Sequence, residues 1–243
     1  MEIKIDNLVK KYGENIVLDN LNFEIKNIHT LVIIGPSGGG KSTLLRVLAG
    51  LEDYNSGYVE VNKKEIPHEE LELLEYRKSV GVVFQAFNLF PHLSALENIT
   101  LPLIKVHHID RNIAEERGFK LLERYKLKEH MYKKPHQLSG GQQQRVAIVR
   151  ALALEVDFFL LDEPTSALDP TLIMETLEAI KELKDLKKDL ILVTHEMKFA
   201  KSVADYVIFV SEGKVIEGGH SKDLFENPKT DELKDFLGKT VYL

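Results

Sequence analysis

The chain has 243 residues, a formal charge of −6 and no cysteine. The negative balance argues against a dedicated nucleic-acid binder, whose domains are usually basic. The lack of cysteine excludes a disulfide framework and a thiolate nucleophile, and a reducing compartment fits it.

A 44% hydrophobic content suits one large α/β domain, or one core with a smaller inserted lobe. The first ten residues alternate charge with aliphatics and lack the apolar core of a signal peptide. No run approaches the ~18 uninterrupted apolar residues that span a bilayer. If the protein works at a membrane, another chain supplies the span.

In chain order, Ile3, Ile5 and Leu8 alternate loosely with polar residues, and Ile16 to Ile25 reads as a second strand. Lys11 to Asn15 is a turn between them. Leu31 to Ile34 is a short apolar run ending at glycine, the pattern of a buried parallel strand. Ser42 to Ala49 has helical spacing. Val80 to Phe84, Asp157 to Leu161, Leu190 to Thr194 and Tyr206 to Val210 are further buried strands, separated by helical patterns. That alternation predicts a mostly parallel sheet covered by helices. From about Phe87 to Glu155 the pattern changes. Ile109 to Tyr125 and Gly140 to Leu154 are helical, with no strand between them, so residues 87–155 form a helical lobe inserted between core segments 1–86 and 156–243. The tail from Gly218 reads as one or two short helices around Asn227-Pro228.

Gly35-Pro36-Ser37-Gly38-Gly39-Gly40-Lys41-Ser42-Thr43 satisfies G-x-x-x-x-G-K-[ST] in full, after a predicted strand and before a predicted helix. Glycines let successive N–H groups turn inward toward phosphate oxygens, and the helix start adds the positive end of its dipole. Lys41 would reach the β- and γ-phosphates of a nucleotide and the Ser42 hydroxyl would hold Mg²⁺. Phe158 to Leu161 is an apolar strand ending in Asp162-Glu163. Ligands of parallel sheets bind at the carboxyl ends of strands. Asp162 there suits the waters of Mg²⁺, and Glu163 suits a general base for an attacking water. Most strand-ending Asp-Glu pairs are only solvated ends; the glycine motif elsewhere in the chain is what raises this one. His195, after the strand Leu190 to Thr194, suits a hydrogen bond to a γ-phosphate. Gln85, after Val80 to Phe84, suits Mg²⁺ or a water.

Leu138-Ser139-Gly140-Gly141-Gln142 precedes a predicted helix and forms a second anion cradle, with neither lysine nor carboxylate strand beside it. Taken alone it is an ordinary N-cap by Ser139. Taken as half of a phosphate site, it needs a second chain to complete it.

Together these motifs resemble the ATPases of the ATP-binding-cassette class. Gly35 to Thr43 resembles their Walker A loop, Phe158 to Glu163 their Walker B strand, and Leu138 to Gln142 their signature. Gln85 matches the Q-loop glutamine, Ser166-Ala167-Leu168-Asp169 the D-loop, His195 the switch histidine, and Tyr12 the aromatic residue that stacks on adenine. All stand in family order between Met1 and about Leu237. The resemblance implies a P-loop NTPase core with an N-terminal antiparallel β subdomain and an inserted α-helical lobe. It implies ATP and Mg²⁺ as cofactors, and head-to-tail pairing of two copies with ATP between the glycine loop of one and the signature of the other. Asp169 would join that shared site. It also implies a cytoplasmic subunit, peripheral on the inner face of the cell membrane and attached to permease subunits.

Val83 to His92, Leu96 to Leu101, Thr194 to Ala200, Ile216 to Gly219 and Phe225 to Pro228 resemble cassettes of polar amino-acid importers, whose permeases receive cargo from a solute-binding protein. Gly39, Ala86 and Tyr206 depart from that pattern. Gly39 stands where serine is common, and removes no contact to ATP that the sequence reveals. The rival reading keeps the same catalytic residues but gives them a different membrane partner, in cell-division signalling or lipoprotein release. DNA-repair cassettes need coiled-coil or zinc insertions; this chain has no sustained heptads and no cysteine. The other histidines show no metal-ligand spacing; His107 and His108 are adjacent and could not both face one site on a helix. The charged run Lys181 to Asp189 reads as a solvated helix face.

Overall fold

The computed structural model describes residues 1–166, 168–185 and 188–240. Ala167 of the predicted D-loop, Leu186 and Lys187 of the charged run 181–189, and the last three residues of the predicted 1–243 domain lie outside the described residues.

In chain order the elements are β1 (Ile3–Tyr12), β2 (Asn15–Ile25), β3 (Thr30–Ile34), α1 (Lys41–Leu48), β4 (Ser56–Val61), β5 (Lys64–Glu65), α2 (Glu70–Lys78), β6 (Val80–Val83), α3 (Ala95–Lys105), α4 (Arg111–Arg124), α5 (Gly140–Leu152), β7 (Phe158–Asp162), α6 (Pro170–Asp185), β8 (Asp189–Val193), α7 (Met197–Val203), β9 (Tyr206–Ser211), β10 (Lys214–His220), α8 (Ser221–Glu226) and α9 (Asp231–Thr240). They fall into two compact units, residues 1–77 with 187–243, and residues 78–186.

The first unit contains an antiparallel sheet in the order β2-β1-β4-β5. Ile3 pairs with Ile25 on one side and Val61 on the other. Ile3, Ile5 and Leu8 point inward and are buried. Their spacing slips by one residue because β1 bulges between Ile5 and Leu8, with Asn7 in the left-handed region at φ 50°. The turn is tighter than predicted: Tyr12 pairs directly with Asn15, leaving Gly13 and Glu14 to reverse the chain. The same unit holds β3 between two parallel partners, β8 and β9, with β10 antiparallel on β9. All five residues of β3 are buried, as expected for a strand flanked on both sides and covered on both faces. Asp205 fixes where β3 begins, because its carboxylate accepts the N–H groups of His29 (2.9 Å) and Thr30 (2.8 Å).

In the second unit β6 and β7 pair in parallel, Val80 opposite Phe158. Between them the described residues form helices and two short 3₁₀ turns, with no strand. Ser94 and Glu97 form a capping box that starts α3. Helix α5 packs against α3, α4, α6 and β6, which explains why Val146 to Val149 are all buried.

Two predicted details change. Gly218 to His220 belong to β10 rather than to a helical tail; pairing with Tyr206, Val207 and Ile208 overrides the weak strand propensity of two glycines. Asp189 is not on a solvated helix face: it opens β8 and meets the N-terminal ammonium at 3.2 Å.

Glu217 joins β10 to the start of α9. Its carboxylate accepts the N–H groups of Lys229 (3.0 Å) and Thr230 (2.8 Å) and the Thr230 hydroxyl (2.7 Å). Partial burial pulls this carboxyl up, but the bonds from Thr230 and Lys229 outweigh it and leave it below its ordinary value of 4.5. A depressed acid contributes stability above its unfolded pKa and loses it as pH falls through the folded value. Glu217→Ala is therefore expected to lower the melting temperature by roughly 2–5 °C at pH 7. In melts stepped down from pH 7 toward about pH 4, the gap from the unmodified protein should narrow. A gap that stays constant would contradict the role of the charged carboxylate.

Candidate functional site

The glycine turn follows β3 directly and runs into α1. Gly35 has φ 146°, and a Cβ there would stand 2.0 Å from the carbonyl oxygen of Val210 in β9. No side chain fits so close to a backbone, so this position admits glycine alone. Gly39 is also tight: a Cβ would lie 3.0 Å from the same oxygen and 3.1 Å from that of Pro36. A serine here would press on the turn, which gives Gly39 a steric reason that the sequence does not reveal. The Gly213 N–H donates to the Gly39 carbonyl at 3.0 Å, and Asp19 N–H donates to the Gly213 carbonyl at 3.0 Å. The turn is thereby pinned to its neighbours in the same unit.

Helix α1 is capped by Gly40, at φ 99°, so no cap side chain supplies an oxygen to its first N–H groups. A helix start of this kind presents N–H donors and a positive dipole end to an anion. Lys41 is buried, and its Nζ donates to the carbonyls of Gly35 (3.0 Å) and Pro36 (2.8 Å). The cation is held at the mouth of the turn. Pro36, Ser37 and Gly38 form its exposed rim, and Ser42 and Thr43 follow half-buried in the first turn of α1. A narrow backbone cradle with a lysine at its mouth fits a nucleotide's phosphates.

Tyr12 ends β1 and is 45% exposed. Lys10 stands over that ring, its Nζ 4.8 Å from the centroid. Lys10 is itself buried and paired with Asp53 (2.6 Å) and Glu52 (3.3 Å). Burial pulls its pKa down, but the two carboxylates outweigh that and leave it raised, so the cation–π contact is permanent near neutrality. Sequence reasoning missed this support, because its partners lie more than forty residues away. His195 lies exposed in the turn after β8. The strand stops at Val193, and Thr194 Oγ1 accepts the Glu196 N–H at 3.1 Å to shape that turn.

In the second unit Asp162 is the last residue of β7 and is buried. Glu163 follows in the left-handed region, at φ 45°, which is sparsely used by a residue with a side chain. The Ser166 N–H (3.2 Å) and hydroxyl (3.0 Å) both donate to the Glu163 carbonyl and hold the turn. Asp169 is exposed, and its carbonyl accepts the Leu172 N–H at 2.8 Å at the start of α6. Gln85 is exposed just beyond β6.

Ser139 caps α5 with a complete capping box: its hydroxyl accepts the Gln142 N–H at 3.3 Å, and Gln142 Oε1 accepts the Ser139 N–H at 3.0 Å. The two side chains satisfy each other's backbone. The N–H groups of Gly140 and Gly141, in the first turn, have no intrahelical acceptor. A Cβ on Gly141 would stand 3.0 Å from the Leu172 side chain of α6, whereas Gly140 has room. Gly141 therefore serves packing between helices. The ordinary N-cap is present in full at this helix start.

Among the described residues no group of three or more His, Cys, Asp or Glu is arranged to hold a metal ion. His107 and His108 lie in a loop beyond α3 rather than on a helix. No helix of the described residues is long and apolar enough to cross a membrane.

A sequence model of the ABC transporter family matches residues 18–166. The glutamate/aspartate import ATP-binding protein GltL of Escherichia coli K12 is 46% identical over 240 residues, covering 99% of this chain and all of GltL. The arginine transport ATP-binding protein ArtM of Bacillus subtilis is 44% identical, covering 98% of this chain and all of ArtM. Among solved structures, the dimeric post-hydrolysis state of the ATP-binding cassette MJ0796 bound to ADP and Pi is 35% identical, with a TM-score of 0.80 over 90% of this chain and 98% of that one. CbiO1 from Clostridium perfringens, part of the ABC transporter complex cbiONQ, is 28% identical, with a TM-score of 0.81 over 99% of this chain and 95% of that one. With a family model matching residues 18–166 and relatives more than 40% identical over nearly its whole length, the chain belongs to the ABC transporter family, as one of its ATP-hydrolysing subunits.

Proposed function

We propose that this chain is the ATPase subunit of an importer for polar amino acids. It works as a homodimer, peripheral on the inner face of the membrane, on permease subunits loaded by a solute-binding protein. The observation that carries the phosphate chemistry is the Gly35 turn, whose backbone approach to Val210 leaves a cradle only glycine can form. The choice of cargo is supported by relatives named for glutamate, aspartate and arginine transport, which match nearly the whole chain. They favour import over cell-division signalling or lipoprotein release.

Tyr12 stacks on adenine, with Lys10 behind its ring. The N–H groups from Gly35 to Thr43 and the Lys41 ammonium hold the phosphates. Ser42, Gln85 and Asp162 offer a hydroxyl, an amide and a carboxylate, an oxygen-only set that suits Mg²⁺ keeping several waters. When bound, the ion neutralises charge on the β- and γ-oxygens. Glu163 polarises the attacking water as general base and His195 hydrogen-bonds the γ-phosphate. Ser139 to Gln142 of the second copy close over the nucleotide, with Asp169 at the same dimer contact.

Lys41→Ala should abolish hydrolysis and weaken ATP far more than adenosine in binding titrations, because the lysine answers phosphate charge and Tyr12 answers the base. Equal losses for both ligands would sink the assignment. Glu163→Gln keeps shape but removes the base; turnover should fall by roughly 10²-fold or more while ATP still binds and a closed dimer accumulates on size exclusion. Wild-type turnover, or a mutant that stays monomeric with saturating ATP, would count against the role and the pairing.

Mixing Lys41→Ala with Ser139→Arg tests the shared site. In a mixed dimer both lesions fall on one site and the other is intact. Random mixing makes about half the dimers mixed, so about a quarter of wild-type turnover should return if the sites fire independently. A chain carrying both lesions, mixed with wild type, has one lesion in each site of every mixed dimer. Activity should then come only from wild-type homodimers, again about a quarter of full turnover. Mixed dimers that keep half of wild-type activity would mean that each site is built within one chain.

A further inference from the structure

Gln85 opens a loop that runs to Leu93 without regular structure. Two helices of the same unit hold its backbone. Arg150, in the last turn of α5, donates through Nη1 to the Asn88 carbonyl (2.7 Å) and through Nη2 to the Phe87 carbonyl (3.2 Å). Asn98, fully buried in α3, brackets the other end: its Oδ1 accepts the Phe90 N–H (2.7 Å), and its Nδ2 donates to the carbonyls of Phe90 (3.2 Å) and Leu93 (3.3 Å). The Phe87 side chain reaches the opposite end of α5. Its Cζ lies 3.8 Å from where a Cβ on Gly140 would stand. Ten residues of helix separate Gly140 from Arg150, about 15 Å of rise. One stretch of loop is thus hydrogen-bonded to one end of the helix that begins with Gly140 and lies close to the other.

Burial lowers the Arg150 guanidinium below its usual range, and no carboxylate pairs with it among the described residues. Its hydrogen bonds there go to the two loop carbonyls. A bland role is available, since a cation in the last turn of a helix is favoured by the dipole. Lysine would serve that role equally well. Lysine could not span two carbonyls with the planar fork of arginine. The left-handed backbone of Asn88, at φ 48°, turns its carbonyl within reach of that fork.

We propose that Arg150 is a positioning residue of the hydrolytic cycle: it ties the loop after Gln85 to α5, so that displacement of the loop moves the Ser139–Gln142 end of the same helix. Asn98 is the fixed anchor against which the loop bends. The inference rests on the proposed roles of Gln85 and of Ser139 to Gln142.

The test uses the full chain with steady-state ATP hydrolysis and amide hydrogen exchange. Arg150→Lys should lower kcat by roughly 5- to 10-fold and leave KM for ATP within about 2-fold. It should speed exchange of the amides of residues 86–90 by about 10-fold. Arg150→Met should do both more strongly; if it does not fold, the lysine variant decides alone. With Gln85→Ala already present, Arg150→Lys should slow turnover by no more than about 2-fold further, because the two act through one loop. Wild-type kcat and exchange in Arg150→Lys would overturn the clamp and leave only the dipole role. Losses that multiply in the double variant would overturn the shared route. Wild-type turnover in Gln85→Ala alone would overturn the reading of Gln85, and the exchange rates would then judge the clamp independently.

Discussion

The phosphate cradle depends on two backbones lying closer than any side chain allows. Gly35 passes the end of β9 so near Val210 that a Cβ would overlap the carbonyl oxygen. Once the chain is pressed there, Gly39 has little room, Gly40 turns left-handed, and α1 starts without a capping side chain. The bonds from Gly213 to Gly39 and from Asp19 to Gly213 hold that contact from the β9–β10 turn and from β2. The donors of the cradle are therefore set by packing of the scaffold, as electrostatic preorganisation requires.

The two glycine-bearing helix starts, of α1 and α5, are built differently. At α1 a glycine cap supplies no side-chain oxygen, and the charge comes from Lys41. At α5 the cap is complete before any partner arrives: Ser139 and Gln142 satisfy each other, and two glycine N–H groups remain at the tip. The first arrangement suits a group that grips a multiply charged phosphate. The second suits a surface that closes on it and lets go, because its helix needs no partner to stay formed.

The sequence made legible what depends on local order. The glycine turn, the strand ending Asp162-Glu163, the buried runs of β3, β7, β8 and β9, and the helices α1, α4 and α5 were predicted within a residue or two. Elements whose pattern comes from pairing alone were lost. β4 has a glycine near its start and only Val59 and Val61 buried. β10 buries no residue fully and contains two adjacent glycines. α2 has one buried residue, Tyr76. β10 and α2 carry no periodicity to read, and the alternation of β4 is confined to Tyr58 to Val61. At the site, motif residues were found, but their supports were not. Lys10, Asn98 and Arg150 look like ordinary polar residues, and their partners are carboxylates or backbone groups brought near by the fold.

The bonds from Lys41 to the carbonyls of Gly35 and Pro36 have a thermodynamic consequence for nucleotide exchange. A lysine already satisfied by its own loop contributes to phosphate affinity only the difference between two sets of acceptors, not the whole of a charge-assisted bond. Release is eased for the same reason, because the departing phosphate is replaced at once by carbonyls within reach and the ammonium is never left bare in a buried site. The loop thus acts as an internal competitor. It tempers affinity for spent and fresh nucleotide alike.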